Sequence, residues 1–490
     1  MGEKVSKILT KVKPFRMIGN IYFVGTVEAS SHLINTGAGL ILIDTGYEGN
    51  APLIVESMQQ LGFDIKDVKI ILHSHGHRDH TDATEALLRL APTAKTYLSF
   101  RDIRYIQGFQ PDFDIQDGDV IELGNTKIEC WFTPGHTEGS VSFFLDVEEN
   151  GQVYKAAMFG GSGVNQLKKA FMDDREVPYR CRGLFFDSVE RLLQRKVDVM
   201  IGNHSWQNRT LEKYEKMQSA TINPFIDPLE WGVYLTKLRD KLWKIIVEES
   251  RSKFVQYAHR GASKYRPENT MSAFSEAVRM GVNGIETDIQ RTKDGVLVLF
   301  HDNTLQRVTG QTGSVCEYTY EQLQSFRVKK GELCDTIPTL EAFLRQFADK
   351  EIAFALELKV DGVEKEVVDL VYRYGVNKRT VITSFELARL QVVKEYAPHM
   401  RVGYLTKSVT EDTLRVLGEI GVDEICPHAS LVTAENVNAW HRQGFNVRAW
   451  GVKNEECMQA VYDAGVDGMT FNAPDVIGAY IANINAEKET

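Results

Sequence analysis

The chain of 490 residues carries two separate clusters of side chains that suit metal-dependent chemistry. The first is the run His75-Gly-His77-Arg-Asp79-His80, which follows an apolar segment that reads as a buried strand. Imidazole and carboxylate groups at this density on one turn are typical of zinc sites. We expect His75 and His77 to bind one metal ion, and Asp79 and His80 to face a second.

Two distant histidines stand where further zinc ligands would be needed. His136 lies in TPGHTEGS, and His204 ends the strand-like segment VDVMIGNH. These residues predict one or two Zn²⁺ ions in the N-terminal half. Water activated by such an ion attacks carbonyl or phosphoryl groups, so the expected chemistry is hydrolysis.

The second cluster collects polar side chains at the ends of strand-like segments in the C-terminal half. It contains two histidines, three carboxylates and two cations, namely His259, His301, Glu286, Asp288, Glu357, Arg260 and Lys359. The C-terminal strand ends of a TIM barrel converge on one face. Three carboxylates there suit one Ca²⁺ or Mg²⁺ ion. The histidines can act as general acid and base on a phosphodiester, with Arg260 and Lys359 neutralising its charge.

The elements that must position the first cluster are short strands interleaved with helices. Residues 20–26 and 39–44 are β-branched runs that predict strands, and residues 51–61 have helical periodicity. Residues 206–253 read as helices that close the first domain. We therefore predict two domains of the α/β class, at residues 1–250 and 251–490.

From Phe254 onwards, strand and helix signals alternate as in βα units. Nine segments qualify as strands, whereas a TIM barrel needs eight. No helix fits between GIETDI and VLVLFH, and the sequence does not say which segment lies outside the barrel.

Composition narrows the class of protein. The net charge is −10, and 43% of the residues are hydrophobic, which indicates a soluble protein and argues against a nucleic-acid partner. The six cysteines form no CxxC pair, as expected of reduced thiols. No apolar run reaches the ~18 residues of a membrane span, and the first residues lack the apolar core of a secretory signal. We expect a cytoplasmic protein and leave its oligomeric state open.

Residues 15–248 resemble the metallo-β-lactamase-fold hydrolases through LIDTG, HSHGHRDH, TPGHTEGS and GNH. The resemblance implies an αββα sandwich with two zinc sites. The implied ligands are His75, His77 and His136 for the first ion and Asp79, His80 and His204 for the second. Asp79 is in addition a candidate catalytic residue.

One position departs from most of that superfamily. Gly161 stands where a bridging Asp is usual, and Ser162 follows it where some members have a Cys or Ser near the metal. The pattern therefore resembles most the lactamase branch whose second zinc ion is bound by Asp, His and His. Ser162 is a candidate substrate contact.

Residues 254–480 resemble the glycerophosphodiester phosphodiesterase family through HRGASKYRPENT, GIETDIQRTKDGVLVLFHD, ALELK and ITSF. The resemblance implies a TIM (β/α)₈ barrel that releases sn-glycerol 3-phosphate and an alcohol. The implied roles are ion binding for Glu286, Asp288 and Glu357, acid–base catalysis for His259 and His301, and phosphate binding for Arg260 and Lys359. Asn269 and Trp450 are expected to line the site. Asn472 stands where the family often has Asp, and the connection 302–357 is expected to cap the site.

The sequence thus favours a bifunctional hydrolase that acts on a small glycerophosphodiester or another phospholipid-derived molecule. A second hypothesis makes only the C-terminal domain catalytic, with the N-terminal domain as a binding or regulatory module. A third, a nuclease, is disfavoured by the acidic net charge, by the absence of a basic tract and by the missing bridging Asp.

Overall fold

The computed structural model describes residues 10–489, which divide into two compact units. The first unit takes the described residues through Leu167 together with Cys181–Leu242. The second takes Lys168–Arg180 and the residues from Trp243 onwards. The division therefore falls inside a long helix, Glu230–Ser252. The domain limits 1–250 and 251–490 stay a prediction.

The first unit contains a seven-stranded sheet whose strands follow each other in sequence order. These strands are β1 (Phe15–Ile18), β2 (Ile21–Phe23), β3 (His32–Asn35), β4 (Leu40–Ile43), β5 (Val68–Leu72), β6 (Lys95–Leu98) and β7 (Phe113–Asp114). The pairs from β1 to β4 are antiparallel, and those from β4 to β7 are parallel.

A five-stranded sheet forms the second layer of this unit, in the order β12-β11-β10-β9-β8. Its strands are β8 (Val120–Leu123), β9 (Thr126–Phe132), β10 (Val141–Glu149), β11 (Gln152–Met158) and β12 (Val199–Ile201). Strands β8 to β11 pair in antiparallel fashion, whereas β12 runs parallel to β11.

Alternating side chains explain how the two sheets pack. On β4, Ile41 and Ile43 belong to the core shared with Phe143 of the second sheet, whereas Leu42 packs with Ile54 of the flanking helix α1 (Ala51–Gln60). This alternation follows from the two-residue period of a strand. The other helices that include residues of this unit are α2 (Arg78–Thr81), α3 (Thr84–Leu90), α5 (Arg180–Leu193), α6 (Thr210–Met217) and α7 (Glu230–Ser252).

Helices also cover the outer face of the second sheet. Phe144 of β10 lies 6.2 Å from Trp231 of α7, and the Trp231 indole donates a hydrogen bond to the carbonyl of Leu192 in α5. The layers are therefore helix, sheet, sheet and helix, which confirms the predicted αββα sandwich.

The second unit is built on a closed barrel of eight parallel strands. These strands are β13 (Val255–His259), β14 (Gly284–Arg291), β18 (Ala353–Leu358), β19 (Thr380–Ser384), β20 (Arg401–Thr406), β21 (Glu424–Pro427), β22 (Asn446–Ala449) and β23 (Gly468–Phe471). The ninth segment, β15 (Leu297–Leu299), pairs antiparallel with the end of β14. It is the segment outside the barrel, and the predicted TIM barrel is confirmed.

Helices follow most barrel strands and supply the outer layer of the core. They are α8 (Met271–Arg279), α11 (Leu340–Phe347), α12 (Glu364–Arg373), α13 (Leu387–Tyr396), α14 (Glu411–Ile420), α15 (Ala434–Arg442), α16 (Glu455–Asp463) and α17 (Pro474–Glu489). Helix α4 (Lys169–Arg175) also belongs to this unit.

The long connection after β15 folds around a small core of its own. It contains α9 (Gln306–Thr309), α10 (Tyr320–Leu323), β16 (Val328–Lys330) and β17 (Leu333–Asp335). Phe300, Leu305, Val315 and Ile337 are buried together there. This connection is therefore an ordered insertion.

No helix among residues 10–489 combines the length and apolar character needed to cross a membrane.

Two candidate metal centres

The N-terminal centre lies at the end of β5, where the chain turns sharply into the short helix α2. The turn carries His75, His77, Asp79 and His80 within six residues. Asp102 accepts hydrogen bonds of 2.8 Å from the backbone amides of Gly76 and Gly139. A buried carboxylate thus ties this turn to the loop that carries His136.

Three imidazoles converge as the sequence predicts. His77 Nδ1 lies 3.1 Å from His136 Nε2, and the His75 ring centre lies 4.9 Å and 4.7 Å from those of His77 and His136. One nitrogen from each of the three lies within 4.8 Å of the others. This spacing suits a single shared ion.

The second set of predicted ligands is adjacent. Asp79 Oδ2 lies 3.4 Å from His80 Nε2 and 3.5 Å from His204 Nε2. Potential ligand atoms of His75, Asp79 and His80 also lie within 4.8 Å of one another. The structure therefore brings all six predicted N-terminal ligands together.

The outer nitrogens of these histidines are held by polar groups of the protein. His80 Nδ1 lies 2.8 Å from Asp44 Oδ2, His136 Nδ1 2.8 Å from the carbonyl oxygen of Gly163, and His204 Nδ1 2.6 Å from that of Glu28. Such contacts fix the ring orientation and leave Nε2 for a metal.

Two of the inward-facing nitrogens also indicate that a metal ion binds here. Nε2 of His75 and of His80 are buried and have no hydrogen-bond partner among the described residues. A buried polar atom without a partner is costly unless a ligand completes it. The donor set therefore fits zinc ions.

Burial sets the protonation of the first group of ligands. Loss of solvent lowers the pKa of His136 to about 4 and that of His75 well below its ordinary value, so both rings are neutral at pH 7. Neutral imidazole is the form that binds metal. Burial raises the pKa of Asp79, but nearby His80 outweighs that effect and leaves it below its usual range.

Ser162 and Gly161 lie close to this centre in a packed environment. Ser162 Oγ accepts hydrogen bonds from Gln207 Nε2 at 2.7 Å and from the Tyr234 hydroxyl at 2.9 Å, and it is buried. A Cβ atom on Gly161 would lie 2.3 Å from Ser140 Oγ. This chain therefore has no room for a bridging Asp at position 161 without rearrangement.

The C-terminal centre lies at the carboxyl ends of β13, β14 and β18. One carboxylate oxygen each from Glu286, Asp288 and Glu357 lies within 4.8 Å of the others, and all three residues are buried. Burial and the neighbouring Asp288 raise the pKa of Glu357 to about 7. The raised pKa reflects repulsion between the neighbouring carboxylates, and a cation bound between them would relieve that repulsion.

Asp288 shows where that cation fits. Its Oδ2 accepts a hydrogen bond of 2.8 Å from Asn269 Nδ2, whereas its Oδ1 is buried without a hydrogen-bond partner among the described residues. Asn269 has φ +55°, and its Oδ1 accepts from Thr287 Oγ1 at 2.7 Å. Asn269 thus orients a carboxylate of the candidate ion site.

The two predicted phosphate-binding cations contact carboxylates of the site. Lys359 Nζ lies 2.8 Å from Glu357 Oε1 and 3.7 Å from Asp288 Oδ1. The Arg260 guanidinium lies 2.8 Å from Glu268 and 3.3 Å from Asp288. The backbone of Arg260 is left-handed, with φ +54°. A strained backbone at a polar site is typical of functional residues.

The two histidines have different partners. His259 Nδ1 lies 2.6 Å from Oδ1 of the Asn472 amide, and its Nε2 lies 3.9 Å from Glu286. His301 Nδ1 lies 2.6 Å from the carboxylate of Asp302. An amide oxygen only accepts a hydrogen bond, so Nδ1 of His259 carries the proton and Nε2 is unprotonated in the neutral ring. Burial and Arg260 lower the pKa of His259 to about 4.

A chain of ion pairs connects Asp302, the partner of His301, with Arg260. Arg307, from the insertion, bonds to both Asp302 and Glu268, and Glu268 also pairs with Arg260. Glu268 and Asp302 lie within the quoted motifs HRGASKYRPENT and GIETDIQRTKDGVLVLFHD, but no role was predicted for either, and Arg307 lies outside these motifs.

A cavity of about 640 Å³ opens above the carboxylates. His259, His301, Glu286 and Glu357 line it, and Trp450 lines it as well. Asn269 and Lys359 do not line the cavity; they bond to the carboxylates of Asp288 and Glu357. The Trp450 indole donates a 2.9 Å hydrogen bond to the carbonyl oxygen of Cys426, which fixes the ring.

Other functional residues were not predicted from the sequence. Asp44 and Asp102 support the N-terminal ligands. Asp44 lies in the LIDTG motif and adopts φ +56°, so the motif itself was the available signal. Asp102 lies in an ordinary stretch of sequence without such a signal.

Comparisons with known proteins match the two halves of the chain to two different families. The model of the glycerophosphoryl diester phosphodiesterase family matches residues 259–476, and that of the metallo-beta-lactamase superfamily matches residues 24–149. A glycerophosphodiester phosphodiesterase from Caldanaerobacter subterraneus subsp. tengcongensis is 32% identical over 229 residues, 45% of this chain and 94% of that protein. One from Bacillus altitudinis is 33% identical over 233 residues, with coverage of 45% and 94%.

Among solved structures, the native FEZ-1 metallo-beta-lactamase from Legionella gormanii is 28% identical, and the match covers 49% of this chain and 97% of that one with a TM-score of 0.46. The subclass B3 metallo-beta-lactamase BJP-1 of Bradyrhizobium japonicum is 26% identical, with coverage of 50% and 97% and a TM-score of 0.45.

Proposed function

The chain belongs to the glycerophosphodiester phosphodiesterase family through its barrel, and we propose that the barrel hydrolyses a glycerophosphodiester to sn-glycerol 3-phosphate and an alcohol. The observation that carries this proposal is the convergence of Glu286, Asp288 and Glu357 beside His259 and His301 in one cavity. Three oxygen ligands suit one Ca²⁺ or Mg²⁺ ion.

Such an ion, held by Glu286, Asp288 and Glu357, would supply positive charge that polarises the phosphoryl oxygens. Arg260 and Lys359 stand beside the same carboxylates and add charge for the phosphate. Asn269 holds Asp288 in place, and Trp450 forms part of the wall against which the substrate packs.

The hydrogen-bond partners of the histidines suggest which one is the base. His259 presents an unprotonated Nε2, which can accept the proton of the attacking oxygen. The Asp302 carboxylate lies at Nδ1 of His301 and orients the ring, so the other ring nitrogen can protonate the departing alkoxide. As the attacking oxygen bonds to phosphorus, His259 takes its proton, and as the P–O bond to the alcohol breaks, His301 gives a proton to the alcohol oxygen.

The products test this proposal. The full chain, freed of metal with a chelator and reconstituted with Ca²⁺ or Mg²⁺, should release sn-glycerol 3-phosphate from a glycerophosphodiester. The proposal is wrong if the protein instead yields glycerol and a phosphoalcohol, or no product from any diester.

The chain also contains a metallo-β-lactamase superfamily domain, and we propose that this domain is a zinc-dependent hydrolase of an ester, amide, lactam or phosphodiester. Nε2 of His75, which has no hydrogen-bond partner among the described residues, and Nε2 of His80, 3.4 Å from Asp79, support two-ion binding next to Asp79. Ser162 is proposed as a substrate contact once its hydrogen bonds to Gln207 and Tyr234 rearrange.

A binding or regulatory role is the rival for this domain. The enzymatic and the regulatory hypotheses can be distinguished with the zinc-loaded His259→Ala variant. In this variant the barrel is expected to be inactive, so any hydrolysis comes from the N-terminal domain. Hydrolysis of a chromogenic lactam, a p-nitrophenyl ester or bis-p-nitrophenyl phosphate that is lost in His77→Ala supports the enzyme. Stoichiometric zinc binding with no turnover of any of the three supports the rival.

A further inference from the structure

The barrel cavity has two chemically different sides. One side carries the carboxylates and the two histidines described above. The other side comes from the ends of β19, β20 and β22 and presents Phe385, Leu405, Lys407 and Trp450. A diester whose phosphate lies at the carboxylates therefore places one of its two arms against an apolar wall that carries a positive charge.

The apolar wall is held rigidly. Trp450 is fixed by its hydrogen bond to Cys426, and Phe385 packs against it edge-on, with ring centres 5.0 Å apart at 89°. His428 packs against Trp450 in the same way at 4.9 Å. Rigid aromatic surfaces bind the apolar face of a ligand at a low entropic cost.

Two cations line this side, Arg448 and Lys407, but Arg448 is buried and pairs with Glu424 at 2.7 Å, so the exposed positive charge comes from Lys407. Lys407 Nζ lies 5.9 Å from the centre of the Trp450 ring, within cation–π distance. Together with burial, the charges of Lys453 and Lys407 lower the pKa of His428. The carboxylates among the described residues that line the cavity are Glu286 and Glu357, both on the opposite side.

A trimethylammonium or ammonium group would be poorly accommodated there. Such groups are recognised by aromatic faces free of other cations or by nearby carboxylates. Here the Trp450 face already has an ammonium group nearby, and a second positive charge at this distance is repelled.

We propose that the alcohol arm of the diester lies on this side of the cavity and that Lys407 determines which alcohol the barrel accepts, by selecting diesters whose alcohol is uncharged or anionic over those of choline or ethanolamine. This inference rests on the proposed phosphodiesterase function. Lys407 acts on specificity and takes no part in the chemical step, because the proton-transferring groups lie across the cavity.

The test compares two diesters on the full chain with Ca²⁺. Glycerophosphoglycerol has an uncharged alcohol, and glycerophosphocholine has a cationic one of similar size. The wild type should show the higher kcat/KM with glycerophosphoglycerol. Lys407→Glu should raise kcat/KM for glycerophosphocholine by about tenfold relative to glycerophosphoglycerol, mainly through KM, because the local charge changes by two units.

Matched variants isolate the charge. Lys407 is exposed, so its replacement leaves the core intact. Lys407→Arg should keep the wild-type ratio and Lys407→Gln should give an intermediate one. Lys365, an exposed lysine over the ring of Tyr396 at 5.4 Å and outside the cavity lining, provides the control Lys365→Glu, which should leave the ratio unchanged.

A gain of activity on the cationic diester cannot arise from damage to the fold. A ratio that stays the same in Lys407→Glu, or moves equally in Lys365→Glu, overturns the inference and leaves the proposed function standing. If the wild type releases glycerol 3-phosphate from neither of these diesters nor from any other, both the inference and the proposed function are overturned.

Discussion

Nδ1 of His80 lies 2.8 Å from Oδ2 of Asp44, and both side chains are fully buried. Although burial lowers the pKa of His80, the carboxylates of Asp79 and Asp44 raise it to about 10. Asp44 also accepts hydrogen bonds from the backbone and the hydroxyl of Ser74, at 2.8 Å and 2.7 Å. The LIDTG aspartate is therefore the group that orients one candidate zinc ligand and the turn before it.

Asp44→Asn should weaken zinc binding because the amide holds His80 less firmly and makes its nitrogen a poorer ligand. Loss of such an outer partner typically costs about 10-fold to 100-fold in metal affinity. Competition with a chromogenic zinc chelator measures the change. Asp146→Asn, an exposed aspartate paired with Lys155, is the control. Equal zinc affinity in Asp44→Asn and the wild type would contradict this role.

Arg307 links the insertion to the barrel centre. It bonds to Asp302, the partner of His301, and to Glu268, the partner of Arg260. Arg307→Ala should lower kcat for glycerol 3-phosphate release by about tenfold with little change in KM, because the proposed general acid loses its support. Arg307→Lys should recover only part of the activity, since lysine lacks the planar fork.

The control for that position is Arg415→Ala, which removes an exposed arginine that likewise pairs with two carboxylates, Asp412 and Glu419. It should leave kcat unchanged. A rise in KM with unchanged kcat in Arg307→Ala would show that the ion-pair chain binds substrate and does not position the acid.

Asp467 gives the barrel unit a pH-dependent part of its stability. Its buried carboxylate contacts Lys169 Nζ at 2.6 Å and His441 Nε2 at 2.7 Å. Burial raises the pKa of Asp467, but Lys169 and His441 outweigh it and hold the pKa far below the ordinary value of 3.8. A depressed carboxyl pKa stabilises the folded state above pH 3.8, and this contribution is lost as pH falls below that value.

Asp467→Asn should therefore destabilise the protein at pH 7, by roughly 3–5 kcal/mol as for other broken buried pairs, and the difference from the wild type should shrink towards pH 3. Urea unfolding followed by tryptophan fluorescence measures it. Asp463→Asn, an exposed aspartate next to Tyr480, serves as the reference. A difference between Asp467→Asn and the wild type that is the same at pH 7 and pH 3 would refute the charge-based explanation.

Sequence patterns predicted the parts of the structure that depend on local periodicity. The nine strand signals of the C-terminal half all form strands, because alternation and apolar runs report burial. They did not distinguish β15 from the barrel strands, because only its antiparallel pairing with β14 sets it apart. Pairing direction is a long-range property that no local pattern contains.

The candidate ligands were likewise predictable because they cluster in short motifs or end strands. Their supports were not, since the contacts join distant parts of the chain. His259 and Asn472, for example, are 213 residues apart. The sequence marks Asn472 only as standing where the family often has Asp, and its hydrogen bond to Nδ1 of His259 arises from the pairing of β13 with β23.

The most direct measurement is kcat/KM for glycerol 3-phosphate release by the full chain and by two variants, His259→Ala and the double variant His75→Ala/His77→Ala. The barrel is expected to act alone, so activity should fall by at least about a hundredfold in His259→Ala, consistent with loss of a general base, and should stay at the wild-type level in the double variant. Undiminished release in His259→Ala, with loss in the double variant, would assign phosphodiester cleavage to the N-terminal centre and contradict this account.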